Sequence, residues 1–300
     1  MKGSGTLLLL QYTSIMKVWF ITGSSAGFGL EMVEQLIARG DAVVATARRP
    51  EVLAEYVSAH PDRVIAPRLD VNLPETIESA VAEALAKFGR VDVLVNNAGY
   101  GLVGTVEEVT DAEARAQFDT NVFGALNVTR AVLPTMRAQG SGHILNISSI
   151  AGLVAGATFP LYSASKHALE AISEGLAASV GEFGINVTII EPGGFRTRFA
   201  DSQSIRLTEN RLPAYDAQMN GTLEWLEAIN GTQEGDPVKG VAAMIAVTEM
   251  EEPPLRLMLG NDAFERYQAK REMLERDFAR MKDVTLSTAV DGLDLSAKLP

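Results

Sequence analysis

The chain has 300 residues, of which 47% are hydrophobic and 21% charged, a composition typical of a globular protein with one large α/β domain or two small ones. Its formal net charge of -12 disfavours nucleic acid and anionic membrane surfaces as partners, because neutralising phosphates requires a basic patch. The absence of cysteine excludes thiolate chemistry and disulfides, and the three histidines are too scattered for a metal site. We therefore expect no bound metal.

The N-terminal region contains one apolar run, residues 7–10, which is too short for the hydrophobic part of a signal peptide. We expect residues 1–15 to form a disordered extension. No other segment reaches the roughly eighteen apolar residues of a membrane span. These features predict a cytoplasmic protein with no membrane partner.

From residue 17 onward, short runs rich in β-branched and aromatic residues alternate with longer stretches of helical periodicity. The predicted strands are 17–22, 42–47, 63–71, 91–97, 142–148, 185–190 and 255–259, and the predicted helices are 29–39, 74–88, 111–138, 162–183 and 236–250. This β-α-β-α order predicts a parallel sheet covered on both faces. The expected fold is α/β, a Rossmann-type doubly wound sheet of about seven strands.

No internal repeat or flexible linker divides the chain, so residues 16–282 are predicted to form a single domain. Residues 193–235 are polar and show no strand pattern. A loop of this length in a compact domain usually has a function, so we expect a substrate-binding lid there. Residues 283–300 lack a clear period and are expected to form a tail.

A glycine-rich segment, TGSSAGFG at 22–29, lies between the first predicted strand and the first predicted helix. Glycines at 23, 27 and 29 let the backbone turn sharply and approach a pyrophosphate at the positive end of the helix. The alternative is a tight turn without a ligand. The strand and helix on either side favour a dinucleotide-binding loop.

The end of the second predicted strand bears on the choice of dinucleotide. NAD-binding proteins usually carry a carboxylate there, whereas NADP-binding proteins use an arginine for the 2'-phosphate. Here Ala47 is followed by Arg48 and Arg49, which favours NADP(H) over NAD(H). The alternative is that both arginines are solvated residues at the approach to a helix.

Seven motifs in order resemble the short-chain dehydrogenase/reductase family between Lys17 and about Gly260. They are TGSSAGFG (22–29), LDV (69–71), NNAG (96–99), Asn121 within DTNVFG, NISS (146–149), YSASK (162–166) and PGGFRT (192–197). The resemblance implies the catalytic residues Asn121, Ser149, Tyr162 and Lys166, with Ser149 preferred to Ser148 by its spacing from the tyrosine. It implies the cofactor-binding residues Gly23, Ser25, Gly27, Phe28, Gly29, Arg48, Arg49, Asp70, Val71, Asn97, Ala98, Gly99, Tyr162, Lys166, Pro192, Gly193 and Thr197.

The implied reaction is hydride transfer between a nicotinamide and a carbonyl or alcohol, with Tyr162 as general acid or base. A phenol has a pKa of about 10, and the four-residue spacing puts Lys166 on the same helix face, where its charge is expected to lower that pKa. The resemblance adds that Lys166 binds the nicotinamide ribose and that Asn121 positions a water of a proton relay. Ser149 is expected to hold the reacting oxygen.

The substrate is predicted from apolar residues in the variable segments, which suit a fairly apolar ketone, aldehyde, or secondary or primary alcohol. They are Leu153, Val154, Phe159, Phe195, Phe199, Met219 and Trp225, with Gly152 and Gly156 leaving room, and a core role for most of them is an equal alternative. By resemblance, helices 111–138 and 162–183 are expected to form a homodimer or homotetramer. Two further alternatives are an NADP-binding redox sensor and, ranked third, an epimerase or dehydratase.

Overall fold

The computed structural model describes residues 16–197 and 204–290. The strands are β1 (Val18–Ile21), β2 (Ala42–Ala45), β3 (Val64–Ile65), β4 (Val93–Asn96), β5 (Gly101–Val103), β6 (Gly142–Ile147), β7 (Ile185–Pro192), β8 (Ile205–Leu207) and β9 (Arg256–Leu259). The helices are α1 (Gly27–Arg39), α2 (Ala54–Ala59), α3 (Pro74–Phe88), α4 (Asp111–Phe118), α5 (Ala125–Gln139), α6 (Pro160–Val180), α7 (Asp216–Ile229), α8 (Pro237–Val247) and α9 (Asn261–Leu286).

A parallel sheet of seven strands forms the centre of the molecule, in the order β3-β2-β1-β4-β6-β7-β9. Successive side chains of a strand point to opposite faces, so Val18 and Phe20 pack with α3, α5 and α6, while Trp19 and Ile21 pack with α1 and α8. The predicted α/β fold, a single domain with helices on both faces of a doubly wound sheet, is confirmed.

The order of the strands reverses at β1, which lies between β2 and β4. In an open parallel sheet, such a reversal leaves a crevice beyond the carboxyl ends of the strands on either side. The segments that follow β1, β2, β4, β6 and β7 all begin at this edge of the sheet. It is therefore the expected place for a ligand.

The predicted long helix 111–138 is interrupted. Residues Asp119–Gly124 form a π-helical segment between α4 and α5. Its wider turn carries Asn121, whose amide bonds both backbone groups of Tyr100. Such local widening often marks a functional region, and a helical period alone does not reveal it.

The segment 193–235 differs from the strandless loop expected. It contains β8, which pairs in parallel with β5 in a separate two-stranded sheet, and the helix α7. The predicted strand 63–71 is short, with only Val64–Ile65 in the sheet.

The C-terminal region also differs from expectation, because α9 was not among the predicted helices and it continues past residue 283 to Leu286. Most of this helix is exposed, which explains its weak sequence period. Among the described residues, no helix is long and apolar enough to cross a bilayer. The predictions for residues 1–15 and for Phe199 lie outside the described residues.

Candidate active site

A cavity of about 1640 Å³ lies at the carboxyl edge of the large sheet. Its wall combines the segments that follow β1, β2, β3, β4, β6 and β7 with parts of β8, α7 and α9. The predicted site residues on this wall are Gly23, Ser25, Gly27, Phe28, Arg48, Arg49, Asp70, Val71, Asn97, Ala98, Gly99, Ser149, Tyr162, Lys166, Pro192, Gly193 and Thr197. Gly29 and Asn121 do not line the cavity. Gly29 packs against Gly23, and Asn121 is hydrogen-bonded to Tyr100, and both Gly23 and Tyr100 are lining residues.

The glycine loop has the backbone shape that a pyrophosphate requires. Gly23 has φ +70°, and a Cβ on Gly29 would lie 2.4 Å from the carbonyl oxygen of Gly23. The cap residue of α1 is Ala26, whose side chain makes no capping hydrogen bond, so the first N–H groups of the helix are left for another acceptor. These residues fit a dinucleotide phosphate at the helix N-terminus.

Two polar side chains hold this loop against the strand end of β4. The amide of Asn97 donates to the carbonyl oxygens of Thr22 and Gly23 at 2.9 and 3.0 Å. The hydroxyl of Thr22 accepts from the backbone N–H groups of Asn97 and Ala98 at 2.9 and 3.0 Å. Thr22 was missed as a site residue, although its place as the first residue of the glycine motif was a usable signal.

The other end of the groove carries the residues predicted to bind the adenosine part of the cofactor. Arg48 and Arg49 are exposed on the cavity wall after β2. Asp70 accepts a hydrogen bond from the backbone N–H of Asn72 at 3.0 Å, and the Asn72 amide donates to Thr120 at 3.0 Å. Asn72 also lines the cavity and was not predicted.

Tyr162 and Ser149 meet on the cavity wall, and their side chains are hydrogen-bonded to each other. Tyr162 lies in the first turn of α6, while Ser149 caps a short 3-10 turn, Ile150–Gly152, and accepts from the backbone N–H of Ala151 at 3.1 Å. Ser148 is buried, and its hydroxyl has no hydrogen-bond partner among the described residues. The geometry therefore favours Ser149 over Ser148 as the partner of the tyrosine.

Lys166 was expected to lower the pKa of Tyr162, but in the cofactor-free protein this pKa is raised. Burial raises the pKa of Tyr162 to about 12, and the hydrogen bond to Ser149 opposes this only in part. The Nζ of Lys166 lies 6.0 Å from the centre of the Tyr162 ring and donates instead to the carbonyl oxygen of Ile147 at 2.7 Å. Removal from water, which penalises the phenolate, is therefore the largest influence on the pKa of Tyr162.

Lys166 is itself affected by its surroundings. Burial lowers the pKa of its ammonium group to about 8, and the negative charge of Glu170 acts in the opposite direction. Glu170 lies one turn further along α6. The charge of the lysine therefore depends on a carboxylate outside the predicted motifs.

Asn121 is buried in the π-helical segment and has all of its side-chain groups engaged. Its amide donates to the carbonyl oxygen of Tyr100 at 3.0 Å and to Ser165 at 3.1 Å, and its Oδ1 accepts from the N–H of Tyr100 at 3.1 Å. It joins the segment after β4 to α6. Both amide hydrogens of Asn121 are therefore engaged, while its Oδ1 keeps a second lone pair, and the water-positioning role expected of this residue stays a prediction.

The PGGF segment is held from the C-terminal part of the chain. Asp262, in the first turn of α9, accepts from the backbone N–H of Gly194 at 2.9 Å, and a Cβ on Gly193 would lie only 2.0 Å from its Oδ1. Phe195 packs edge-on against Phe28 of the glycine loop, with ring centres 5.1 Å apart. Asp262 had no local sequence signal, since it is separated from its partner by 68 residues.

The predicted apolar residues divide between wall and core. Val154, Phe159, Phe195 and Trp225 line the cavity together with Gly156, whereas Leu153, Gly152 and the fully buried Met219 do not. Some polar lining residues of β8 and α7 were not predicted. They are Arg206, Gln218 and Thr222, and the guanidinium of Arg206 lies 4.1 Å from the centre of the Tyr100 ring.

The fold, the glycine loop and the paired tyrosine and serine define a dinucleotide-binding oxidoreductase class. Residues 17–207 match the family model for short chain dehydrogenases. The chain is 38% identical over 274 residues to oxidoreductase BOA17 of Botryotinia fuckeliana, which covers 91% of this chain and 99% of that protein. It is 36% identical over 246 residues to a 3-ketodihydrosphingosine reductase of Bacteroides thetaiotaomicron, covering 81% and 88%. The chain belongs to the short-chain dehydrogenase family.

Solved structures agree with this assignment. A short-chain dehydrogenase from Streptomyces avermitilis superposes with a TM-score of 0.85 at 43% identity, covering 92% of this chain and 100% of that one. A Burkholderia phymatum member in complex with NAD gives 0.71 at 26% identity, covering 93% and 98%. A Burkholderia cenocepacia member with NADP gives 0.68 at 27%, covering 89% and 97%. The protein is therefore an oxidoreductase that uses a nicotinamide cofactor on CH–OH groups.

Proposed function

We propose that the protein is an NADP(H)-dependent oxidoreductase that interconverts a fairly apolar carbonyl compound and its secondary or primary alcohol. The observation that carries this proposal is the hydrogen-bonded pair of Tyr162 and Ser149 on the wall of a large cavity, with Lys166 on the next turn of the same helix. A hydroxyl that donates a proton and a second hydroxyl that holds the same oxygen are what carbonyl reduction requires of the protein.

The residues that would hold the cofactor extend from the glycine loop to the PGGF segment. When bound, NADPH supplies the hydride. Tyr162 would donate its phenolic proton to the oxygen of the carbonyl group, and Ser149 would donate a hydrogen bond to the same oxygen. Asn121 would keep Tyr100 and α6 in register behind them.

The protonation states of this site favour reduction at neutral pH. A tyrosine whose pKa is raised to about 12 keeps its proton at neutral pH, which is the state that reduction needs, although the same shift makes it a weaker acid. Alcohol oxidation needs the phenolate instead, so its rate should rise with pH. In the cofactor-free protein, Tyr162 therefore has the protonation state that reduction needs.

The preference for NADP(H) rests on Arg48 and Arg49, the two exposed guanidinium groups on the cavity wall after β2. A guanidinium can bind a phosphate through two parallel hydrogen bonds, and no carboxylate stands at this strand end to repel it. Related structures contain NAD in one case and NADP in another, so the arginines are the feature of this chain that favours NADP.

The substrate class follows from the apolar side of the cavity, where Val154, Phe159 and Trp225 surround the space beyond Tyr162. Similarity to a 3-ketodihydrosphingosine reductase supports a ketone attached to an apolar chain. A homodimer or homotetramer through α4, α5 and α6 and a cytoplasmic location are part of the same proposal, the latter because the chain has no cysteine.

The experiment is a panel of carbonyl compounds and alcohols, each assayed with NADPH or NADP⁺ and with NADH or NAD⁺. We expect turnover of long-chain or cyclic ketones with NADPH, with one NADPH consumed for each alcohol formed. Activity confined to polar sugars would contradict the apolar pocket. NADPH binding without turnover of any member of the panel would instead favour a redox sensor, and product formed without net NADPH consumption would favour an epimerase or dehydratase.

A further inference from the structure

A cluster of buried charges lies behind Lys166, on the side away from Tyr162. Along α6, Tyr162, Lys166, Glu170 and Glu174 follow one another at four-residue spacing and share one helix face. Arg256 of β9 faces the second half of this row. It donates from Nη1 to Glu170 at 2.5 Å and to Glu191 of β7, and from Nη2 to Glu174.

The carboxylates of this cluster outnumber the cations beside them. Glu170 is 4% exposed and Glu191 is 1% exposed, whereas Glu174 reaches solvent. Burial, followed by the charge of Glu170, raises the pKa of Glu191 to about 7, so Glu191 holds a proton more readily than an exposed glutamate does. Arg256 therefore compensates mainly Glu170 inside the protein and Glu174 at the surface.

Only one of the two carboxylate oxygens of Glu170 is hydrogen-bonded to a cation. Its Oε2 accepts from Arg256, while its Oε1 is buried and accepts no hydrogen bond from the described residues. Among the described residues, Lys166, one turn away, donates to the carbonyl oxygen of Ile147, and only 6% of the residue is exposed. The remaining negative charge of Glu170 and the buried positive charge of Lys166 therefore stabilise each other.

The position of Glu170 is fixed by packing as well as by Arg256. A Cβ on Gly152, in the 3-10 turn that follows Ser149, would lie 2.8 Å from Oε1 of Glu170 and 2.6 Å from the hydroxyl of Ser148. Only glycine leaves room for the carboxylate there. The turn that places Ser149 in the site also confines Glu170.

We propose that Glu170 is a positioning residue of the active site: held by Arg256 and by the turn at Gly152, its carboxylate keeps the ammonium group of Lys166 charged beside Tyr162. The reaction part of this inference rests on the proposed function, in which Tyr162 gives up its proton, because a positive charge one turn along α6 would stabilise the phenolate that is left. The electrostatic part does not depend on it.

Other charged groups around α6 are engaged elsewhere. The groups that interact with Lys166 and Glu170 are Tyr162 and Glu174 from α6, Glu191 from β7 and Arg256 from β9, and the turn Ile150–Gly152 adds none. The π-helical segment that packs on α6 carries Asp119, which is exposed. From α4, which also packs on α6, Asp111 binds Arg115, and Glu113 binds Thr110 and Thr208. His167 contacts the carbonyl oxygen of Ser163.

The first test measures the titration of Lys166 directly, in cofactor-free protein, by NMR of lysine labelled with ¹³C at Cε and assigned with Lys166→Arg. We expect a midpoint near pH 8 in the wild type. Glu170→Gln should lower it by about one pH unit, because a neighbouring carboxylate is replaced by a neutral amide. Glu170→Asp should restore most of the shift. Glu174→Gln, which removes the solvent-exposed partner of Arg256, should leave the midpoint near the wild-type value.

The second test is the pH dependence of kcat for ketone reduction with NADPH. In Glu170→Gln the loss of rate at alkaline pH should move down by the same amount, giving about a fivefold lower rate at pH 8. A variant that is less stable but leaves the Lys166 midpoint unchanged would overturn the inference, whatever its activity. A shifted midpoint with an unshifted rate profile would overturn the role in the reaction. If the wild type reduces no ketone, the proposed function fails while the NMR titration still decides the role of Glu170.

Discussion

The phenolic hydroxyl of Tyr162 is the group on which the proposed proton transfer depends. Replacing Tyr162 with Phe removes that proton donor and leaves the aromatic ring, which packs edge-on against Phe159 at 6.3 Å. We expect kcat for ketone reduction to fall by about 100-fold or more, the usual contribution of a general acid. NADPH affinity, followed by fluorescence, should change little, since Lys166 and the glycine loop are retained.

Tyr215 provides a matched control for this substitution. Its hydroxyl donates to Glu107 at the surface, and the residue does not line the cavity. Tyr215→Phe should therefore keep the wild-type rate. A Tyr162→Phe protein that reduces a good ketone at the rate of the Tyr215→Phe control would contradict the proposed role.

At the scale of the elements, His143 connects two strands of the sheet. It lies on β6, its Nε2 is 2.9 Å from the hydroxyl of Thr188 on β7, and burial lowers its pKa from 6.5 to about 4. The unfolded chain therefore binds the histidine proton first as the pH falls. The stabilisation that His143 contributes is present above pH 6.5 and is lost as the pH falls towards 4.

The size of this effect can be measured by urea unfolding at pH 7 and pH 5. We expect the wild type to lose about 2 kcal/mol more than His143→Gln between these two conditions, because the glutamine cannot titrate. Equal losses in the two proteins would show that His143 does not titrate on unfolding.

The helix α9 is expected to tolerate changes on its outer surface. Phe278 is 69% exposed, so Phe278→Ser should change the free energy of unfolding by less than about 0.5 kcal/mol. Phe20, on the central strand β1, is fully buried, and Phe20→Ala should cost about 3–5 kcal/mol in the same urea titration. A large loss for Phe278→Ser would show that this face of α9 is covered in solution.

The same elements show how far the sequence determines what can be predicted. The seven strands of the large sheet were found because each contains a short apolar run; β1, β2 and β4 are buried throughout, while the edge strand β9 is half-buried. The pair β5 and β8 was missed because each has three residues and they lie about a hundred residues apart, so neither carries a local pattern. The helix α7 was missed because Met219 is its only buried residue.

Within the site, the residues carried by short motifs could be located, while those that depend on distant contacts could not. Tyr162, Ser149 and Lys166 lie close in sequence, and the structure brings them together. The sequence predicted a lowered pKa for Tyr162, whereas the structure raises it. The prediction failed because the burial of a side chain cannot be read from a four-residue spacing. Asp262 and Arg256 act on the site from the end of the chain, where nothing local indicates their partners.

At the scale of the whole molecule, cofactor binding should stabilise the fold, because the cavity is built by segments from both halves of the sheet. At a free concentration of 100 times the dissociation constant, a ligand adds about 2.7 kcal/mol, which raises the Tm of a domain of this size by roughly 5–10 °C. We expect NADP⁺ to raise the Tm more than NAD⁺ at equal concentration in a thermal-shift assay.

The arginines after β2 should account for this difference. In the Arg48→Ala, Arg49→Ala double variant, the Tm shift with NADP⁺ should fall to that with NAD⁺, and NADP⁺ affinity should fall by about 10- to 100-fold, the worth of charge-assisted hydrogen bonds to a phosphate. The shift with NAD⁺ should not change. A double variant that still favours NADP⁺ to the same degree would contradict the role of both arginines.

The contact between Asp262 and the backbone at Gly193 and Gly194 sets a limit on how this protein can be recombined. The part of the chain that matches the family model ends at residue 207, yet the loop after β7 is held by a carboxylate 68 residues beyond it in sequence. A chimera joined anywhere between Gly194 and Asp262 would take the loop after β7 from one parent and the carboxylate that holds it from the other. Exchanges between relatives should therefore keep β7, β9 and the first turn of α9 from a single parent.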